Sequence, residues 1–119
     1  MCTQAHIGVY IGVSGSSYFT PSSSQKNTVH TGVYSGGGHA ISILSGRMSF
    51  VLGLTGPNFP VDTACSATLV ALHCADSSIR LGECFRAAVC GLGILEGSVS
   101  IGIARGGMTS LRGRCHTFD

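Results

Sequence analysis

The stretch Val61–Ala75, "VDTACSATLVALHCA", decides how this chain is read. "FPVDTA", ahead of the cysteine, reads as a short strand. From Cys65 onward, "CSATLVALHCADSSIRLGE" is apolar nearly all round for three helical turns. Polarity enters only with Asp76, Ser77, Ser78 and Arg80, and Gly82 supplies a C-terminal cap. Cys65 therefore falls where a strand ends and a helix begins, the geometry of a nucleophile elbow. Thiolate is the attacking form of cysteine. A helix N-terminus offers N–H groups without partners and a partial positive charge, which favour thiolate and can hold an oxyanion. Ser66 and Ala67 are small, so a substrate can approach the backbone. The residues alone leave two readings open: a reactive thiol, or one more buried thiol in an apolar chain.

The same alternation extends on both sides. "HIGVYIGVSG" (residues 6–15) is rich in β-branched residues and reads as a buried strand. Residues 16–38 are polar and Gly/Ser-rich, a long surface segment ending in Gly36–Gly38. "HAISILSGRMSFVLGLTGP" places Ile41, Leu44, Met48 and Val51 or Leu52 at helical spacing, with a stop near Gly53 and Gly56-Pro57. "FRAAVCGLGIL" reads as another buried strand, and the remainder as irregular chain with room for a short helix. Strand, helix, strand, helix, strand is an α/β order.

Composition points to a covered surface. Of 119 residues, 44% are hydrophobic and only 10% charged, against about a quarter charged in ordinary domains. A chain of this size exposes much of itself to water and should need more charge. The deficit implies that other protein covers it, as in a piece of a larger fold or an obligate oligomer. Net charge is +2, and Arg105, Arg112 and Arg114 do not make a nucleic-acid patch. No signal peptide is visible, and no apolar run reaches transmembrane length. Cys65, Cys74, Cys84 and Cys90 lie in or beside apolar runs, as reduced thiols do. These features predict a cytoplasmic protein, or a plastid one if the parent is algal. The cysteines lack a C-x-x-C pair, which argues against zinc. "SGGGHAISIL" lacks the Gly-Lys-Ser/Thr ending of a phosphate loop.

The motifs go further than spacing. "VDTACSATLVALH" resembles the active-site segment of the β-ketoacyl synthase domains of polyketide and fatty-acid synthases, where D-T-A-C-S-S-S-L carries the nucleophile. "GVYIGVSGSSY", "HAISILSGRMSFVLGLTGP", "SIRLGEC" and "GRCHTFD" resemble further family segments in the same order. "CSAT" in place of "CSSS" is a mild departure, and "GSVSIGIARGG" matches poorly.

The resemblance implies the thiolase-like fold, layered α-β-α-β-α, with residues 1–119 a partial domain from its N-terminal half around the nucleophile. It implies that Cys65 takes an acyl group from an acyl carrier protein, with its own N–H in the oxyanion hole. A decarboxylative Claisen condensation with a malonyl-type extender follows. It implies an acyltransferase of the 3-oxoacyl-[acyl-carrier-protein] synthase type. Phosphopantetheine-linked acyl thioesters are the substrates, no cofactor is bound directly, and no metal is used. The partners it implies are the carrier protein and a second copy, paired through the strand before Cys65, with no nucleic acid and no membrane span. Family members also use two histidines downstream of G-R-C-x-x-F-D. His6, His30, His39, His73 and His116 match neither, so the segment by itself is expected to be inactive. His73, eight residues past Cys65, reads as a packed helix residue. The alternative is a truncated, non-catalytic fragment, acting at most as an interaction, dimerisation or carrier-binding piece.

Overall fold

A computed structural model of the chain describes residues 6–14, 40–93, 97–115 and 118. The surface segment 16–38, the glycine tract within it, and His30, His39 and His116 lie outside the described residues. Strand β1 spans Ile7–Ser14. A 3₁₀ turn at Ile41–Ile43 leads into helix α1, Leu44–Leu52. Strand β2 spans Asn58–Val61. A second 3₁₀ turn, Ala64–Ser66, opens helix α2, Ala67–Arg80. Strand β3 spans Arg86–Gly93, and helix α3 spans Gly97–Arg105.

The three strands form one parallel sheet in the order β2-β1-β3. The chain moves one way from β1 to β2 and the opposite way from β2 to β3. Right-handed crossovers then place the connecting helices on opposite faces. That is what the packing shows, because β1 alternates. Val9, Ile11 and Val13 point to one face and meet Ile41, Leu44 and Leu54 from the α1 side. Tyr10 points to the other and meets Ala71, Cys74 and Ala75 of α2. β1 is thus buried on both sides, as a near-continuous apolar run should be.

The helices close on the sheet through small residues. α2 turns Ala67, Ala71, Ala75 and Ser78 inward, one stripe at helical spacing. Its outer face carries Leu69 (68% exposed) and Leu72 (52%). α1 differs from the stripe read in its sequence. Ile41 and Leu44 do pack on β1, but Ser45 and Ser49 complete the buried face. Met48, Val51 and Leu52 point away, with Phe50 88% exposed. Ser45 Oγ donates to Asn58 Oδ1 at 3.3 Å, fastening α1 to β2. Both helices therefore carry an apolar outer face suited to a further layer, which fits the low charge of the chain.

Both helices also stop where the glycines place the stop. Gly53 (φ 65°) and Gly82 (φ 75°) take the left-handed conformation. The N–H of Leu54 reaches Ser49 O at 2.8 Å, and that of Glu83 reaches Ser78 O at 2.9 Å, so each helix ends in a Schellman motif.

Two expectations need correction. β3 is not a buried strand: Cys90 and Leu92 are exposed, because no described element covers their face and β3 lies at a sheet edge. His73 is not packed but exposed on the outer face of α2, since the inward stripe is the alanine one. Among the described residues, no helix is long and apolar enough to cross a membrane. Cys65, Cys74, Cys84, Cys90 and Cys115 are all free thiols.

Candidate active site

Cys65 lies just past the C-terminal end of β2, at the head of α2. Parallel α/β sheets place their sites at this edge, where the winding reverses. Here the α1 connection serves one face and α2 the other, and the two part between β1 and β2. Cys65 stands beside that parting, exposed rather than buried.

The residues around the thiol hold the elbow themselves. β2 ends at Val61, earlier than "FPVDTA" predicts, because the next residues build a turn. Asp62 Oδ1 accepts a hydrogen bond from the Ala64 N–H at 3.0 Å. Ala64 sits at φ 56°, the left-handed region that an L-residue with a Cβ enters at a cost of about 1–2 kcal/mol. That reversal swings the chain from strand to helix. Ser66 Oγ donates to the Thr63 carbonyl at 2.9 Å and shares a second hydrogen bond with the Thr63 hydroxyl at 2.9 Å. Thr63 and Ser66 thus clasp each other across Ala64 and Cys65. Each polar residue of Asp62-Thr63-Ala64-Cys65-Ser66 has a part in the turn, and Cys65 is left with its side chain outside it.

The N–H groups at a helix start have no acceptor within the helix. Asp62 takes that of Ala64, the Ser66 N–H turns back toward Thr63 in the 3₁₀ pattern, and that of Cys65 stands at the head of the turn. The N–H left over is thus that of the cysteine itself, on the residue that carries the sulfur.

Under this turn the helix rests on bare backbone. Gly12 of β1 and Gly91 of β3 are register partners on the face toward α2. A Cβ on Gly12 would meet Thr68 N and, at 2.6 Å, Ala67 C. A Cβ on Gly91 would meet Thr68 Oγ1. The signal for this contact is two glycines at inward positions of strand-like runs, which mark a close backbone approach. Neither run, taken alone, points to it.

The remaining candidates lie elsewhere. Cys74 is within α2, partly buried against the Tyr10 cluster. Cys84 is buried next to Gly8 and Tyr10, and Cys90 and Cys115 are exposed away from any helix start. His73 is about 12 Å along the helix axis from Cys65. With Leu69, Leu72 and Asp76 it lines an open hollow of about 480 Å³ on the outer face of α2. Among the described residues, no histidine is placed to act on the thiol. Burial raises the Tyr10 phenol above its ordinary value. Its hydroxyl meets no partner in hydrogen-bond geometry, although Ser78 and Cys84 stand beside it. Ser78 Oγ instead donates to Glu83 Oε2 at 2.6 Å, tying the end of α2 to the turn after it.

The sequence places this site in a family. The β-ketoacyl synthase, N-terminal domain, matches residues 2–119. The highly reducing polyketide synthase fogA of Aspergillus ruber is 37% identical over 116 residues, 97% of this chain and 5% of its own length. The phenolphthiocerol synthesis polyketide synthase type I Pks15/1 of Mycobacterium bovis is 42% identical over 112 residues, 93% of this chain and 5% of its own. The highly reducing polyketide synthase virA of Hypocrea virens is 39% identical over 116 residues, 97% of this chain and 5% of its own. The chain thus spans about one-twentieth of the length of such relatives. Its parallel sheet with a helix on each face is a fragment of the thiolase-like α/β fold. The chain belongs to the β-ketoacyl synthase family, matching its N-terminal domain and similar in sequence to polyketide synthases.

Proposed function

We propose that this segment carries the acyl-accepting nucleophile of a polyketide-type β-ketoacyl synthase, and that the nucleophile is Cys65. The observation that carries the reading is the exposed thiol at the head of α2, presented by the self-braced Asp62-Thr63-Ala64-Cys65-Ser66 turn. The substrate is an acyl thioester on the phosphopantetheine arm of an acyl carrier protein. The Cys65 sulfur attacks its carbonyl carbon, and the oxyanion leans on the Cys65 N–H at the head of the turn. The carrier thiol leaves with the proton that Cys65 gave up. A malonyl-type thioester then loses carbon dioxide, and its carbanion attacks the acyl-Cys65 carbonyl. A carbon–carbon bond forms, the carbon–sulfur bond breaks, and the Cys65 sulfur departs as thiolate, which takes a proton from water to regenerate the thiol.

The decarboxylating half of the reaction needs groups that the 119 residues do not supply. Neither described histidine, His6 or His73, lies by Cys65, and His30, His39 and His116 match neither of the family's two histidines, so we read the segment alone as inactive and the condensation as the work of the complete synthase domain. No cofactor is bound directly. The complete domain works as a homodimer. β2 supports this: it is an edge strand, and its outer edge has no partner among the described residues. The pairing of β2 with its twin would bring two Cys65 elbows to one interface.

The test is condensation by the complete synthase domain that carries these residues, with an acyl carrier thioester and a malonyl thioester. A Cys65→Ala variant should form no condensed product, and the 119-residue segment should release no carbon dioxide from malonyl thioester. Product from the Cys65→Ala domain would overturn the assignment. Carbon dioxide release by the segment would overturn its inactivity.

A further inference from the structure

We infer that Thr68 is a positioning residue for Cys65, working as a key in the notch that Gly12 and Gly91 leave in the sheet. The inference rests on Cys65 being the nucleophile, and goes beyond it by naming what fixes the sulfur and the Cys65 N–H in place. Gly12 and Gly91 pair across β1 and β3, so the two missing side chains make one continuous gap. Thr68 fills that gap from above, three residues after Cys65. Its backbone N and Cα lie over Gly12, where a Cβ would come within 2.6 Å of Thr68 Cα. Its side chain lies over Gly91, where a Cβ would meet Oγ1 directly, Cγ2 at 3.1 Å and Cβ at 3.3 Å. Elsewhere α2 meets the Tyr10 side of the sheet through the small side chains of Ala71, Cys74 and Ala75. Thr68 has both a branch that engages β3 and a backbone pressed on β1. A β-branched side chain has few χ1 choices, so the key is stiff.

The consequence for chemistry is one of register. Cys65 belongs to the 3₁₀ turn that runs straight into α2, so any tilt or slip of the first helical turn moves the sulfur and the Cys65 N–H with it. Transfer of an acyl group needs the sulfur, the carbonyl carbon and the oxyanion donor placed together. Alkylation needs only the sulfur. Loss of the key should therefore slow acyl transfer selectively.

The experiment uses the complete synthase domain and a short acyl thioester of N-acetylcysteamine, with adducts mapped to individual cysteines. Alkylation of Cys65 by iodoacetamide is followed in parallel, and protection of buried Cys84 reports the fold. Thr68→Ala removes the branches that reach over Gly91 and keeps a residue that helices accept well. It should slow Cys65 acylation by about ten- to a hundredfold, with alkylation and Cys84 protection unchanged. Thr68→Val keeps the shape and should acylate like the wild type. Gly91→Ala, which forces the methyl onto the key, should be slow. Adding Thr68→Ala to Gly91→Ala should bring it no lower than Thr68→Ala alone. Wild-type rates in Thr68→Ala, or an equal loss in Thr68→Val, overturn the inference. So does an equal slowing of acylation and alkylation. If the wild type takes its acyl group on another cysteine, the nucleophile assignment itself fails, and the two failures are told apart by that control.

Discussion

Replacing Gly12 by alanine adds one methyl group between β1 and the first turn of α2. The methyl would stand 2.6 Å from Ala67 C and from Thr68 Cα, and closer still to Thr68 N. Carbon atoms pack comfortably at about 3.5–4.0 Å, so the helix start must lift by about 1 Å to admit it. Side-chain overpacking commonly costs about 1–3 kcal/mol. Here every wall of the site is backbone, which cannot rotate away, so the expected destabilisation is about 3 kcal/mol or more. Gly53→Ala is the control, since its methyl meets nothing within 4 Å. Its penalty comes only from the left-handed φ of 65°, about 1 kcal/mol. Denaturant unfolding of the complete domain measures both. A Gly12→Ala variant within about 1 kcal/mol of wild type, or no worse than Gly53→Ala, would refute the close packing of α2 on bare sheet.

Other expectations follow from single residues. Ala64→Gly should be as stable as wild type or up to about 1 kcal/mol more stable, because glycine takes φ 56° without strain; Ala64→Val should be clearly less stable by the same unfolding assay. Tyr10 is fully buried and its hydroxyl lacks a partner, so Tyr10→Phe should not destabilise the complete domain. Its phenol is raised in the folded state, so the unfolded chain ionises first. Stability should then be intact below the ordinary value of 10.0 and fall as pH rises toward the folded value, a loss that Tyr10→Phe removes. The 119-residue segment alone should bind a hydrophobic dye strongly or aggregate, given Phe50 at 88%, Val51 at 78% and Leu81 at 75% exposure. A soluble monomer with a sharp thermal transition would contradict this.

The order of elements was legible because each carries its own local signal. A β-branched run marks β1, a short apolar run marks β3, the glycines at 53 and 82 mark the helix ends, and the apolar run after Cys65 marks α2. The site was legible for a different reason: Asp62-Thr63-Ala64-Cys65-Ser66 is a turn whose residues bond to one another, so its meaning is contained in five adjacent letters. What depended on distant neighbours was not legible. Helical spacing does not say which side of α1 faces the sheet, and the serines proved to be inside because the helix lies close to β1 and β2. The run in β3 does not say whether anything covers Cys90 and Leu92. The Gly12–Gly91 notch joins three segments far apart in sequence, and no one of them announces it.

The measurement that bears most directly on the assignment is the location of the acyl group. The complete synthase domain is loaded from an acyl carrier thioester, digested, and its thioester-linked peptide mapped by mass. The adduct should sit on the peptide containing Cys65, vanish in Cys65→Ala, and persist in Cys74→Ala and Cys84→Ala. Exposure alone does not decide it, since Cys90 and Cys115 are exposed as well. An acyl group mapped to any other cysteine, or an adduct that survives Cys65→Ala, would contradict the role given to the elbow at the head of α2.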